Sequence, residues 1–353
     1  IVVSIFCVAY TSMGGIEAVL WSDAVQTVVL LLGAFLVIIV GFSSAPKGVG
    51  QGFKLLADDG KIISPDFFSL DLAKSSIWVM IVGGFVNSIY SYVGSQDIVQ
   101  RYATNKDEHE AKKSLFMNVP LLCTSIVIFI GMGSALYIYF HFKATLPENI
   151  NGNAILPYFI VNALPVGISG LVIAAIFAAA QSTVSSSLNS VSTCMTADIL
   201  EYFKSGMEDK SKLKFARISS WIVGIFSTLL AIYFIYNGQG DMFLYFQAIT
   251  GLLGGPIAGV FLIGIFFDKV ESKAVWIGFI VSVIIAFYVS DPAGMLTKFI
   301  PGYVKPKIFE FMLSFIIIGS SVIVSFIASF FFGKPSEEKI KGLTYSTTIK
   351  NQK

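Results

Sequence analysis

Residues 178–193 read AAAQSTVSSSLNSVST. They overlap and extend an apolar run at 167–180, GISGLVIAAIFAAA, that has the composition of half a membrane helix. Ten of the sixteen carry a hydroxyl or an amide side chain. On a helix, Ser182, Ser185, Ser186, Asn189 and Thr193 recur at i, i+3, i+4, i+7 and i+11, so they form one polar stripe with Thr183 beside it. Two readings fit such a stripe. Small residues let neighbouring helices approach closely, their hydroxyls bonding back to their own backbone. Alternatively, the oxygens coordinate a hard cation, which prefers oxygen donors.

The rest of the chain says what kind of helix this is. It has 353 residues, 55% of them hydrophobic, and a mean hydropathy of +0.77. Charged residues make up 13%, about half the ~25% usual in soluble domains. A spanning helix needs about 20 mostly apolar residues, and many segments qualify. The fold class is therefore an all-α polytopic membrane protein. Spans are expected near 1–13, 17–43, 76–96, 115–140, 166–200, 217–236, 242–267, 273–290 and 309–332, punctuated by signals such as SSAPKG, NGQGD and DPAG. The segment 154–163 is too short to span and reads as an external helix. The chain opens inside an apolar segment, IVVSIFCVAY, and reads as a fragment whose N-terminal helices lie outside it. Cys7, Cys123 and Cys194 lie in apolar stretches without metal-ligand spacing, so a disulfide framework is not expected. His109 and His141 fall in loops.

The net charge of +2 says little about partners, but its placement fixes orientation. One set of loops, with the C-terminal tail, holds sixteen Lys and Arg residues, among them Arg101, Lys112, Lys212, Arg217 and Lys339; the opposite set holds eight. By the positive-inside rule the richer side is cytoplasmic. Asp23 then lies about six residues, roughly 9 Å, inside a span entered from the cytoplasm, and no further charge follows before Lys47. A carboxylate at that depth is costly and marks a functional site by default; the other reading is an interfacial charge reaching back to water. The span 166–200 exceeds the bilayer thickness, so its polar end should protrude inward, bringing 182–186 to the depth of Asp23. An acid and a hydroxyl stripe at matching depth point to cation coordination.

Five blocks, in order, resemble the sodium:solute symporter family, whose members include sodium-coupled sugar, sialic acid, monocarboxylate, vitamin, iodide and proline carriers. YTSMGGIEAVLWSDAVQ is similar to its fourth-to-fifth helix segment, SQDIVQRYATNKDEHEAKKSL to its sixth-to-seventh connection, and LPVGISGLVIAAIFAAAQSTVSSSLNSVST to its eighth helix. GGPIAGVFLIGIFFDK is similar to its tenth helix and IKGLTYSTT to its tail. KAVWIG at 273–278 departs from the family's usual Gly-Ala, at a packing position. The resemblance implies the LeuT-like five-plus-five inverted repeat. Residues 1–43 would end the first repeat, 44–75 form an extracellular loop, 76–267 make the second repeat, 268–332 two appended helices and 333–353 a cytoplasmic tail.

Site residues follow from the same resemblance. It implies a first sodium site using the carbonyl of Ala179 and the hydroxyls of Ser182 and Thr183, completed by a first helix outside this chain. A second sodium site, found in some members, would join Asp23 to Ser182, Ser185 and Ser186. Gln247, in FLYFQAITG, matches a glutamine that contacts sugar; the other reading is an amide serving a helix break at Gly254, Gly255 and Pro256, which are expected to bend the helix. Asn87, Ser88, Ser91 and Tyr92 lie near substrate and gating positions, though NSIYSYVGSQ lacks the paired aromatics of a typical sugar gate. Gln96, Gln100 and Arg101 read as setting a helix end and the cytoplasmic connection. The implied function is symport of sodium (Na+) with a small polar organic solute, of sugar or sialic acid type or a monocarboxylate. The partners are sodium, that solute and the bilayer, not nucleic acid. A transporter-like sensor is the alternative, and a membrane enzyme lacks an intramembrane His, a metal cluster or a nucleophile–base pair.

Overall fold

The computed structural model describes residues 2–237, 242–291 and 294–352, with the backbone alone described at 2–4, 12–16, 18, 234, 235, 237, 242 and 349–352. Parts of the expected turns NGQGD and DPAG lie outside the described residues. The described chain is helical: α1 (Val2–Phe42), α2 (Val49–Asp58), α3 (Ile77–Ile89) ending in a π turn (Tyr90–Gly94), α4 (Gln96–Ala103), α5 (Glu108–Phe142) and α6 (Ile155–Ala163). Then come α7 (Ile168–Cys194) with a π turn (Met195–Leu200), α8 (Glu201–Phe203), α9 (Asp209–Asn237), α10 (Met242–Phe266) and α11 (Ser272–Ser290). The last four are α12 (Met295–Phe299), α13 (Glu310–Phe332), α14 (Glu337–Ile340) and α15 (Tyr345–Gln352). Eight helical segments among the described residues are long and apolar enough to cross a membrane.

Helix ends follow local chemistry. α5 starts two turns before the expected span because Asp107 caps it, accepting from the Glu110 N–H at 2.9 Å, and two glutamates fill its first turn. α6 is a helix of nine residues where a short, non-spanning helix is expected. The expected break between residues 13 and 17 is absent from the backbone pattern, since α1 is helical from Val2 to Phe42. Gly14 and Gly15 disfavour helix by only about 1 kcal/mol each, and no proline interrupts the run. Yet α1 is not straight. The Cys7 thiol reaches the carbonyl of Gln181, and Asp23 bonds the next residue, Ser182. Sixteen residues of straight helix span roughly 24 Å, further than these two contacts allow, so α1 bends between Cys7 and Asp23 into two limbs.

Contacts divide the chain into two compact units, Ile1–Ile63 with Gln100–Gln239, and Ser64–Val99 with Gly240–Lys353. In the first, the second limb of α1 runs against α7 and α5. Val37, Leu136, Tyr139, Phe159, Ile160, Leu164 and Val172 form its main cluster. A Cβ at Gly41 would sit 2.6 Å from the Ala135 carbonyl oxygen, so glycine is what allows α1 and α5 to touch. The other face of α1 exposes Val25, Val28, Leu32, Phe35 and Ile39 in a 3–4 spacing; such a stripe is satisfied by lipid and not by water.

In the second unit, α3 with its π turn, α10, α11 and α13 pack together. Leu252, Ala286, Val289, Leu313 and Ile317 make one cluster, and Ile263, Val270, Ala274 and Ala328 another. Ala274, within the KAVWIG departure, is fully buried there, as a packing position should be. This is a multi-pass membrane fold, held by close packing where lipid-like surroundings give little hydrophobic drive between helices.

Candidate functional site

The first unit's site is built around Asp23, on the second limb of α1 and 8% exposed. Ser182 donates its hydroxyl to Asp23 Oδ1 at 2.6 Å, and Ser186 donates to Oδ2 at 3.2 Å. The spacing i, i+4 puts both hydroxyls on one face of α7, as the stripe predicts. Thr27 donates to the Asp23 backbone carbonyl at 2.8 Å, tying the local turn of α1. The acid and the stripe thus meet at one depth.

A third partner was not expected. Arg101 Nη2 donates to Asp23 Oδ2 at 2.6 Å and to Ser186 Oγ at 2.8 Å. These are short charge-assisted bonds, and the ion pair balances a carboxylate that would be costly alone among membrane helices. One residue earlier on α4, Gln100 Oε1 accepts from Asn189 Nδ2 at 3.1 Å. The reading of Gln100 and Arg101 as residues that merely end a helix is therefore corrected: both reach across to α7, and Arg101 enters the site. Gln96 stays at the start of α4, and Asp97 accepts a hydrogen bond from Ser95 there.

The other stripe residues divide. Ser185 is fully buried, but its hydroxyl donates to the Ser182 carbonyl at 3.0 Å and not to Asp23. Thr183 is exposed and donates to the Ala179 carbonyl at 3.2 Å, so that carbonyl and that hydroxyl oxygen lie side by side, with Ser182 adjacent on the helix. Ser190, Thr193 and Thr196 donate to carbonyls of their own helix, which leaves their oxygens free to accept. Below Asn189 a cavity of about 370 Å³ opens, lined by Thr11, Asn189, Thr193, Thr196, Lys212 and Arg217 among others. The Thr11 hydroxyl is buried at its edge without a partner among the described residues.

The donor set fits a small hard cation. Each of two hydroxyl oxygens lies within hydrogen-bonding range of one of the two Asp23 carboxylate oxygens, and neutral hydroxyls add oxygen without excess charge. A transition metal is not suited: among the described residues, no group of three or more His, Cys, Asp or Glu side chains comes together.

The second unit holds the residues expected to touch substrate. Gln247 is 8% exposed on α10. Asn87 lies near the end of α3, and its Oδ1 accepts from Ser314 of α13 at 2.7 Å. Ser88 donates to the Gly84 carbonyl at 2.8 Å. Ser91 and Tyr92 lie in the π turn, a departure from α geometry often found at functional positions. Gly254, Gly255 and Pro256, expected to bend α10, lie inside one continuous helix, Met242–Phe266. What the glycines supply is room: a Cβ at Gly254 would stand 2.6 Å from the Tyr90 ring, so the π turn nests against α10.

Comparison with known proteins adds a family. The sodium:solute symporter family model matches residues 1–282. The sodium/sialic acid symporter NanT of Aliivibrio fischeri is 33% identical over 319 residues, covering 87% of this chain and 63% of that protein. SiaT of Proteus mirabilis, another sodium/sialic acid symporter, is 37% identical over 286 residues, covering 80% of this chain and 58% of that one. A solved Na+-coupled sialic acid symporter, substrate-bound and outward-open with a novel Na+ site, matches with a TM-score of 0.82 at 34% identity. The match covers 95% of this chain and 66% of that one. The chain thus matches between 58% and 66% of the length of these relatives.

Proposed function

The chain belongs to the sodium:solute symporter family, and on that premise we propose that the whole protein is a secondary active transporter. It couples inward sodium flow to uptake of a small polar organic solute by alternating access. The observation that carries this is the Asp23 cluster: a carboxylate held by Ser182 and Ser186 where a bilayer tolerates charge only with compensation. Relatives at 33% and 37% identity are sodium/sialic acid symporters, which favours a sialic acid or sugar substrate over a monocarboxylate. The protein is a carrier and not an enzyme, with its C-terminus in the cytoplasm of a plasma or bacterial inner membrane.

Within it, Ala179, Ser182 and Thr183 serve one sodium ion, and Asp23, Ser182, Ser185 and Ser186 a second. Ser185 acts through the Ser182 carbonyl, which its hydroxyl orients. Gln247, with Asn87, Ser88, Ser91 and Tyr92, faces the solute. Residues 1–43 close the first inverted repeat, 44–75 are an extracellular loop, 76–267 form the second repeat, 268–332 are appended helices and 333–353 a cytoplasmic tail. Sodium on the inner-half hydroxyls stabilises the outward-open state, the solute binds, and both leave inward once the site faces the cytoplasm. The test is uptake by the full-length protein in proteoliposomes, with and without a sodium gradient, across sialic acid, sugars and monocarboxylates. Accumulation of one class that collapses without the gradient is expected; gradient-independent equilibration of every class would contradict the reading.

A further inference from the structure

Arg101 makes the same contacts that a sodium ion at the second site needs. It donates to Asp23 Oδ2 at 2.6 Å and to Ser186 Oγ at 2.8 Å, so carboxylate and hydroxyl already face a positive charge. Its side chain is 39% exposed against 11% for that of Asp23, so the guanidinium approaches from the more open side. Two cations sharing one carboxylate repel each other at this range, and the Ser186 lone pair engaged by Nη2 is not free for sodium. One residue away, Gln100 bonds Asn189, so α4 is fastened to α7 by two side chains. Asn189 also lines the cavity beside the cluster.

We propose that Arg101 is the tethered competitor of the second sodium ion. Guanidinium and sodium occupy the Asp23–Ser186 pair alternately, so sodium binds there only when α4 releases α7. The device does two things for a symporter. It keeps the carboxylate compensated when sodium has left, so the empty carrier can return without an unpaired charge in the bilayer. It also makes occupancy of the ion site and the position of the α4 end a single event, which is how a ligand biases a two-state element.

This rests on the sodium reading above, and the experiment separates the two. Equilibrium sodium binding to the full-length protein in detergent, read by calorimetry without solute or transport, is compared for wild type, Arg101→Gln, Arg101→Lys and Asp23→Asn. Arg101→Gln removes the competing charge and should tighten the Asp23-dependent site by about tenfold; Arg101→Lys keeps the charge and should stay much nearer to wild type. On the wild-type protein, a dicarbonyl arginine reagent with mass-spectrometric readout should label Arg101 faster at saturating sodium than at equal ionic strength in choline. Unchanged or weaker binding in Arg101→Gln, or sodium-independent labelling of Arg101, would overturn the competition while leaving the Asp23 site in place. Loss of all sodium binding in wild type would instead overturn the sodium reading itself.

Discussion

The hydroxyls of α7 look alike in sequence but are not equivalent in structure. Ser182 and Ser186 donate to Asp23, Thr183 lies beside the Ala179 carbonyl, and Ser185 turns back onto its own helix. Thr183→Val keeps shape and removes one oxygen; it should raise the sodium concentration for half-maximal uptake several-fold with surface expression intact. Ser182→Ala should do at least as much, because Ser182 belongs to both proposed ion sets, whereas Ser185→Ala should stay within about twofold, having lost an intrahelical bond of about 1 kcal/mol. Equal effects at Ser182 and Ser185 would contradict this division. Gln247 is the residue proposed to contact the solute. Gln247→Ala should weaken apparent solute affinity and leave the sodium-to-solute ratio alone, as measured by parallel isotope fluxes; loss of sodium coupling with affinity unchanged would reverse the assignment. Sequence reveals the stripe because a 3.6-residue period is a local signal. It cannot reveal Arg101, whose partner is 78 residues away and which sits on a helix of only eight residues.

At the scale of elements, glycine decides how closely helices meet. Gly254→Ala places a methyl 2.6 Å from the Tyr90 ring, so either the ring or the π turn must move. A cost of about 1–3 kcal/mol is expected for such overpacking, seen as a lower melting temperature of the purified protein and partly restored by Tyr90→Leu. A neutral Gly254→Ala would mean that the ring yields freely. The same contact gives the glycines of Gly-Gly-Pro a packing role, relieving a neighbour's side chain, and a membrane helix tolerates Pro256 when surrounding groups re-satisfy its backbone. In α1 the backbone pattern gives no break where hydropathy suggests two spans, yet Cys7 and Asp23 meet the same turn of α7, so the helix bends between them. Boundaries move where a cap outweighs hydropathy, as at Asp107.

Over the whole molecule, charge accounting ties the site to energy coupling. Asp23 is compensated by Arg101 in this structure, and by a second sodium ion in the proposed loaded state. Each charge carried through the full membrane potential is worth ~2.3 kcal/mol per 100 mV, so a carrier moving two sodium ions per solute concentrates far more steeply than one moving a single ion. The proposed orientation, with Asp23 in the inner half, rests on the sixteen-to-eight asymmetry of Lys and Arg, a property of the whole chain and of no single loop. Membrane class and the polar stripe are legible in sequence as composition and period, and the family as a resemblance carried by five blocks in order. The pairing that governs ion occupancy is not, since it depends on a fold that brings α1, α4 and α7 together. The most direct test of the central claim is the sodium-to-solute flux ratio of the full-length protein in proteoliposomes, wild type against Asp23→Asn. A fall from two to one, with uptake less sensitive to membrane potential, is the predicted result; a wild-type ratio of one, or a ratio of two that survives Asp23→Asn, would contradict it.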